Sequence, residues 1–385
     1  MPPRFDARAE IQRLRWELAY IDLKLKRERL RLILRYDENQ PRAPAGSPNG
    51  GQWVGTGGGA GGAGPGAPDQ PTPQTTVRAD GRRRAIRQST DSDSSWLAVQ
   101  ETYRPDGSLA AQTVLNRDGS VIDSQFAPAD SSLLWDSRHT IETADGRILT
   151  VQNAGPVQTL FDTNGQAISQ SIWRADGPEP QDLVQPSFVP ALVLAPAAAE
   201  ATVELGAILF TWLAGQELLD QKPVIAFNAR EYERDRPKEL DMTYVGLRSF
   251  RDTKDACPKM EIVQDKANEA AIQANKGGPY KSASAYGTAV HKILKDDIDK
   301  LNDPKLFAEK SLLKSRADGT GRYAENGTIR VDVLEDTEND TVCVYDIKTG
   351  KTRLVFGRTA EIASHVFKFR NNANRIIVLE MRPAK

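Results

Sequence analysis

The chain has 385 residues, enough for two or three domains rather than one. Its 27% charged residues and mean hydropathy of −0.51 exclude an integral membrane protein of ordinary type. The formal net charge of −1 carries no global signal for or against nucleic acid, and the two cysteines, Cys257 and Cys343, lie far apart. Neither a disulfide framework nor a zinc site is expected from them, so the fold is not expected to depend on oxidation.

Met1-Pro2-Pro3-Arg4-Phe5 lacks the apolar core of a signal peptide, so export would use another route. Residues 1–38 read as a basic amphipathic helix. Ile11, Leu14, Leu18, Ile21, Leu25 and Leu32 recur at three- and four-residue spacing as a short heptad seam. Such a helix docks on a partner, or folds back on its own protein. Residues 39–94 are rich in glycine and proline and bury too little apolar surface to order themselves, which predicts a flexible linker. Within it, residues 39–53 resemble a short motif of bacterial proteins of phage-like or mobile-element origin.

Residues 95–180 carry a rhythm of Asp106-Gly107, Asp118-Gly119, Asp145-Gly146, Asn164-Gly165 and Asp176-Gly177. These pairs supply the positive φ of tight hairpin turns, and flanks such as Ile148-Leu149-Thr150-Val151 suit strands, so a β-hairpin repeat region is expected. A turn explains each of these aspartates without a catalytic role. Residues 186–222 form an apolar, Ala-rich segment interrupted by Glu200 and Glu204. No uninterrupted run reaches membrane-spanning length, which predicts a buried helical segment, with transient membrane contact as the other reading. Residues 228–254 are highly charged, and a C-terminal domain is expected over residues 243–385.

Within that domain, residues 286–295 read as a helix with Val290, Ile293 and Leu294 on one face, and Gly287 permits close backbone approach. Arg330-Val331-Asp332-Val333-Leu334 and Val342-Cys343-Val344-Tyr345-Asp346-Ile347-Lys348 read as two strands of a hairpin. Side chains alternate along a strand, so Arg330 and Asp332 share a face, as do Asp346 and Lys348. If the faces coincide, two carboxylates and an ammonium converge. Neighbouring carboxylates repel and favour a hard divalent cation, and a lysine beside it can position a water for attack on phosphorus.

These residues resemble the RecB-like branch of the PD-(D/E)XK nuclease superfamily. Its pattern is a Gly-x-x-x-His helix, an Asp-bearing strand and Asp-x-Lys followed by Thr-Gly. The matching positions are Gly287 and His291, then Asp332, then Asp346-Ile347-Lys348-Thr349-Gly350. The resemblance implies a restriction-endonuclease-like α/β domain with His291, Asp332 and Asp346 as metal ligands, Glu309 as a further acidic ligand, and Asp332, Asp346 and Lys348 as catalytic residues. Mg²⁺ is the implied ion, with Mn²⁺ an alternative. The Gln-x-x-x-Tyr element of many RecB-like enzymes is not evident after Lys348.

From Thr341 onward nine basic residues face three acids: Lys348, Lys351, Arg353, Arg358, Lys368, Arg370, Arg375, Arg382 and Lys385 against Asp346, Glu361 and Glu380. They are candidate phosphate contacts. Of the aromatics there, Phe356, Phe367 and Phe369, the last two are expected in the core. The fold class expected is multidomain α+β. The module order resembles bacterial polymorphic toxins, whose repeat stalks such hairpin arrays also resemble. That resemblance implies a Mg²⁺-dependent nuclease, DNA favoured, delivered without a signal peptide into a target cytoplasm. It further implies a cognate immunity protein and a delivery partner for the N-terminal helix. The competing readings are a DNA-repair or phage nuclease, and a structural protein whose nuclease-like domain is inactive.

Overall fold

The computed structural model describes residues 18, 21–28 and 30, residues 74–216 apart from 92–93, 182 and 184–195, and residues 220–384 apart from 230–239, 314–327, 338, 351–353, 355 and 371–372. The protein is mixed α+β and divides into two compact units, Met1–Phe126 and Ala127–Lys385.

In the first unit, α1 (residues 21–28) accompanies an antiparallel meander. Its strands are β1 (Gln74–Val77), β2 (Arg83–Gln88), β3 (Trp96–Tyr103), β4 (Leu109–Asn116) and β5 (Val121–Phe126). The turns are made as the sequence predicts: Gly107 and Gly119 take φ of 86° and 85°, and Asp106 and Asp118 each accept the N–H two residues on, at 2.8 Å. One expectation is corrected. β1 and β2 lie inside residues 39–94, so the predicted linker ends before Gln74; its glycine-rich part falls outside the described residues. The helix leaves its seam outward and packs through another face. Leu23 and Leu30 pack on Ala98, Leu115 and Val121, while the seam residues Leu18, Ile21 and Leu25 are exposed. The Lys26 ammonium reaches both Asp123 oxygens, at 3.0 and 2.9 Å, so this helix is folded back on its own meander. Ile11, Leu14 and Leu32 lie outside the described residues.

The second unit opens with five more meander strands, β6 (Ser137–Glu142), β7 (Ile148–Ala154), β8 (Val157–Phe161), β9 (Ala167–Arg174) and β10 (Gly177–Gln181). There follow α2 (Pro196–Ala214), β11 (Gln221–Ala229), β12 (Leu240–Ser249), α3 (Phe250–Ala256), α4 (Met260–Gly277), α5 (Ala283–Lys300), β13 (Leu306–Leu313), β14 (Thr328–Asp336), β15 (Thr341–Ile347), α6 (Phe356–Phe369) and β16 (Arg375–Met381). Strands β11 to β16 form a six-stranded sheet in the order β12-β11-β16-β15-β14-β13, in which only β15 and β16 run parallel. Val333, Cys343, Tyr345, Ile347, Ile377 and Leu379 join α3, α4 and α5 in one core. The alternate residues Val342, Val344, Ile376 and Val378 are also buried, as in strands covered on both faces.

The apolar segment is a buried helix of this unit. α2 packs on β11, β12 and α6, burying Leu205, Leu209, Phe210 and Trp212. A Cβ at Gly206 would lie 2.0 Å from the Met242 sulfur, so the glycine is what lets α2 approach β12. Among the described residues, no helix is long and apolar enough to cross a membrane.

The domain boundary at 243 is corrected as well. Thr243 lies inside β12, and β11, which precedes it, is flanked by β12 and β16. The meander seals the outer edge of β12. The Gln158 amide exchanges two 2.9 Å hydrogen bonds with the Val245 backbone, the Ser171 hydroxyl donates to Thr243 O at 2.6 Å, and Trp173 meets Tyr244 edge-on at 4.9 Å. An edge strand capped this way cannot pair with another chain. A fragment beginning at Thr243 should therefore show no cooperative thermal transition by circular dichroism, whereas one beginning at Ala127 should.

The expectation about cysteines is overturned. Cys257, after α3, and Cys343, in β15, form a disulfide with Cα atoms 5.9 Å apart, and both are fully buried. Their separation of 86 residues hid the pairing, which the fold makes by laying the α3–α4 corner on the sheet. Cys257→Ser with Cys343→Ser should lower unfolding stability by about 2–4 kcal/mol in denaturant titration, the usual effect of losing a long-loop crosslink.

Candidate metal centre

The site is a row of acids crossing four strands. Asp346 pairs with Glu380 between β15 and β16. One step beyond the Val333–Tyr345 pair, the same register sets Asp332 beside Asp346. Glu309 falls opposite Asp332, between the Ala308–Val333 and Lys310–Val331 pairs. Like charges directly opposite on neighbouring strands destabilise a sheet, so such a row needs counter-charge.

The counter-charges are built in. The Arg330 Nε lies 2.7 Å from Glu309 Oε2, Lys348 Nζ 2.7 Å from Asp346 Oδ2, and Arg382 pairs with Glu380 at 3.0 Å. His291 serves the remaining positions, its Nδ1 lying 3.4 Å from both Glu309 Oε1 and Asp332 Oδ1.

Each position has a local cause. α5 starts where Ser282 Oγ accepts the Ala285 N–H, and it buries Val290, Leu294 and Ile298, leaving His291 on the flank toward β13. A Cβ on Gly287 would stand 2.9 Å from Thr349 Oγ1, so this glycine lets the helix approach the corner after Lys348. Glu309 sits at φ 49°, in the left-handed region, which breaks the alternation of β13 and re-aims its carboxylate. At Asp332 a side chain takes over the ladder, its Oδ2 accepting the Ile347 N–H at 2.8 Å.

One ligand atom each from His291, Glu309 and Asp332 lies within 4.8 Å of the others. Asp346 stands next in the row but does not join that group, and its carboxylate is turned to Lys348. Two of the converging atoms, His291 Nδ1 and Glu309 Oε1, are buried with no hydrogen bond of ordinary geometry beside their own 3.4 Å contact. An orphaned polar atom costs about 1–3 kcal/mol when nothing occupies its lone pair. Two carboxylates, and an imidazole whose Nδ1 offers a lone pair once it gives up its proton, are a donor set that suits a divalent cation.

The charged groups of the row shift one another's protonation. Burial opposes charge on His291, but Asp332 and Glu309 outweigh it and raise the imidazole to about 10, so the ring is an imidazolium here. Burial works against the Asp332 charge too, and the His291 partner with the Ile347 N–H overcomes it and holds this carboxyl below its ordinary value. Asp346 moves the other way. Burial and then the neighbouring Asp332 charge raise it from 3.8 to about 6, against the pull of Lys348. Its folded value lies above its unfolded one, so its contribution to stability is present below pH 3.8 and lost as pH rises through about 6. Between those limits the metal-free protein should lose on the order of 1–3 kcal/mol that Asp346→Asn keeps, as read by denaturant titration across pH.

Of the C-terminal basic residues, Arg358 bonds Arg330 O, Arg370 pairs with Asp336, Arg375 with Asp176 and Arg382 with Glu380. With Lys348 on Asp346, five of the six described candidates for phosphate contact have intramolecular partners, and Lys368 is exposed; Lys351, Arg353 and Lys385 lie outside the described residues. Phe367 is buried as expected, whereas Phe369 is half exposed; the Phe356 side chain lies outside the described residues. Glu380 and Arg382, counted above only among the charges after Thr341, prove to belong to the row. Their signal was a lone charge inside the apolar run Ile376-Ile377-Val378-Leu379-Glu380-Met381. No protein-family model matches the chain, and no curated protein is significantly similar to it.

Proposed function

We propose that the protein is a metal-dependent nuclease. The observation that carries this reading is the convergence of His291, Glu309 and Asp332, with the Asp346–Lys348 pair next in the same row. His291, Glu309 and Asp332 would hold a Mg²⁺ or Mn²⁺ ion, and the imidazole nitrogen in the set makes Mn²⁺ at least as good a fit as Mg²⁺. Such an ion supplies Lewis-acid polarisation of a phosphoryl oxygen and a more acidic water. Asp332 orients the corner by holding the Ile347 N–H. Lys348, a quarter exposed and fixed by Asp346, can donate to an attacking water or to the phosphate as negative charge develops. DNA is the favoured substrate.

The biological role proposed is that of an antibacterial toxin or effector, neutralised by an immunity protein, and it rests on the module order of the sequence. The burial of α2 favours a structural role for the apolar segment over membrane passage. A second reading, a structural protein with an inactive nuclease-like domain, draws on the fact that each acid of the row already has a basic partner. One assay separates them. Full-length protein should degrade plasmid DNA with Mg²⁺ or Mn²⁺ and leave it intact in EDTA; intact plasmid with either ion supports the inactive reading.

A further inference from the structure

A second cationic feature lies on β13, the last strand of the six-stranded sheet, one residue from Glu309. The Lys310 ammonium sits 5.4 Å from the Phe307 ring centre and 5.0 Å from that of Phe369. The Arg370 guanidinium stands over the same two rings, at 5.1 and 4.9 Å. In a regular strand, residues 307 and 310 would point to opposite faces. The left-handed backbone at Glu309 puts both on the α6 side, so the irregularity that aims Glu309 at His291 also creates this patch.

The patch is under-neutralised. Arg370 has Asp336 at 3.1 Å, but among the described residues no carboxylate pairs with Lys310. Two cations sharing two rings repel each other, and the ring faces offset only part of that cost. Burial and the adjacent Arg370 both disfavour the charge on Lys310. A bound anion would relieve both. An ammonium beside a guanidinium suits a phosphodiester, which the guanidinium can grip through two donors.

We propose that Lys310 and Arg370 form a phosphate-backbone contact for a nucleic-acid strand, separate from the carboxylate row at which that strand would be cut. The inference rests on the nuclease reading and adds that the substrate is a polynucleotide held at a second point, rather than a mononucleotide or small diester.

The test compares full-length protein with Lys310→Gln and with Lys310→Gln/Arg370→Gln. Binding to a long DNA duplex is followed by fluorescence anisotropy in EDTA over a range of salt, and hydrolysis of bis(p-nitrophenyl) phosphate is followed with Mn²⁺. The double variant should bind DNA about tenfold more weakly, and its log–log salt slope should fall by about two, one for each phosphate contact. The single variant, which removes one of the two charges, should lose about one. Hydrolysis of the small diester should not change in either. Wild-type affinity and slope in both variants would overturn the patch while leaving the nuclease reading intact. Equal losses on DNA and on the small diester would overturn it as a separate contact. Tight salt-dependent DNA binding by a wild type that hydrolyses neither substrate, with the slopes changing as stated, would uphold the patch and sink the nuclease reading. Binding by an acidic peptide but not by DNA would overturn the proposal in favour of a protein partner.

Discussion

Asp332→Ala is expected to abolish divalent-cation binding in calorimetry and to lower phosphodiester cleavage by about a thousandfold or to background, the scale of losing a group that organises transition-state charge. Asp332 is the centre of the row, flanked by Glu309 and Asp346. One of its oxygens lies 3.4 Å from His291 Nδ1, and the other holds the Ile347 N–H. The alanine variant removes both functions, so Asp332→Asn is the informative companion. Asparagine can still accept from Ile347 but brings no negative charge. It should fold like wild type, bind the cation weakly and stay inactive. Wild-type cleavage by Asp332→Asn would show that charge at this position is not needed, and the metal centre would have to be abandoned.

Lys348→Ala separates chemistry from metal binding. Lys348 is ion-paired with Asp346 and does not belong to the His291, Glu309, Asp332 group. Its removal should leave cation affinity largely intact while cleavage falls by at least about a hundredfold, the usual contribution of one positioned proton donor. In a bacterium expressing the chain, both Asp332→Asn and Lys348→Ala should restore growth at equal protein level if nuclease action is the source of toxicity. Toxicity unchanged in both would place the poison elsewhere in the chain.

The parts of this fold that were legible in the sequence are those set by local chemistry. Asp106-Gly107 and Asp118-Gly119 announce their turns because few other pairs take φ near 85° so readily. Gly287 was read as a close-approach glycine, and Thr349 is what it approaches. The illegible parts are set by tertiary contact. Leu18, Ile21 and Leu25 make a better-looking seam than Leu23 and Leu30, yet the latter are buried, because the Lys26–Asp123 pair and the meander surface decide which face turns inward. The Cys257–Cys343 pairing depends on where α3 and α4 lie on the sheet, which spacing does not reveal. The same holds for the acid row. Asp332, Asp346 and Glu309 were named from the sequence, but Glu380 joins them only through the parallel register of β15 and β16.

Whether His291, Glu309 and Asp332 hold a divalent cation is read most directly by anomalous scattering from a crystal grown with Mn²⁺. The expected result is a peak bonded to His291 Nδ1 and to carboxylate oxygens of Glu309 and Asp332 at about 2.1–2.2 Å, with the Glu309–Arg330 and His291–Asp332 contacts opened to admit it. No peak among these three side chains, with Mn²⁺ in excess and the imidazole still lodged between the two carboxylates, would contradict it.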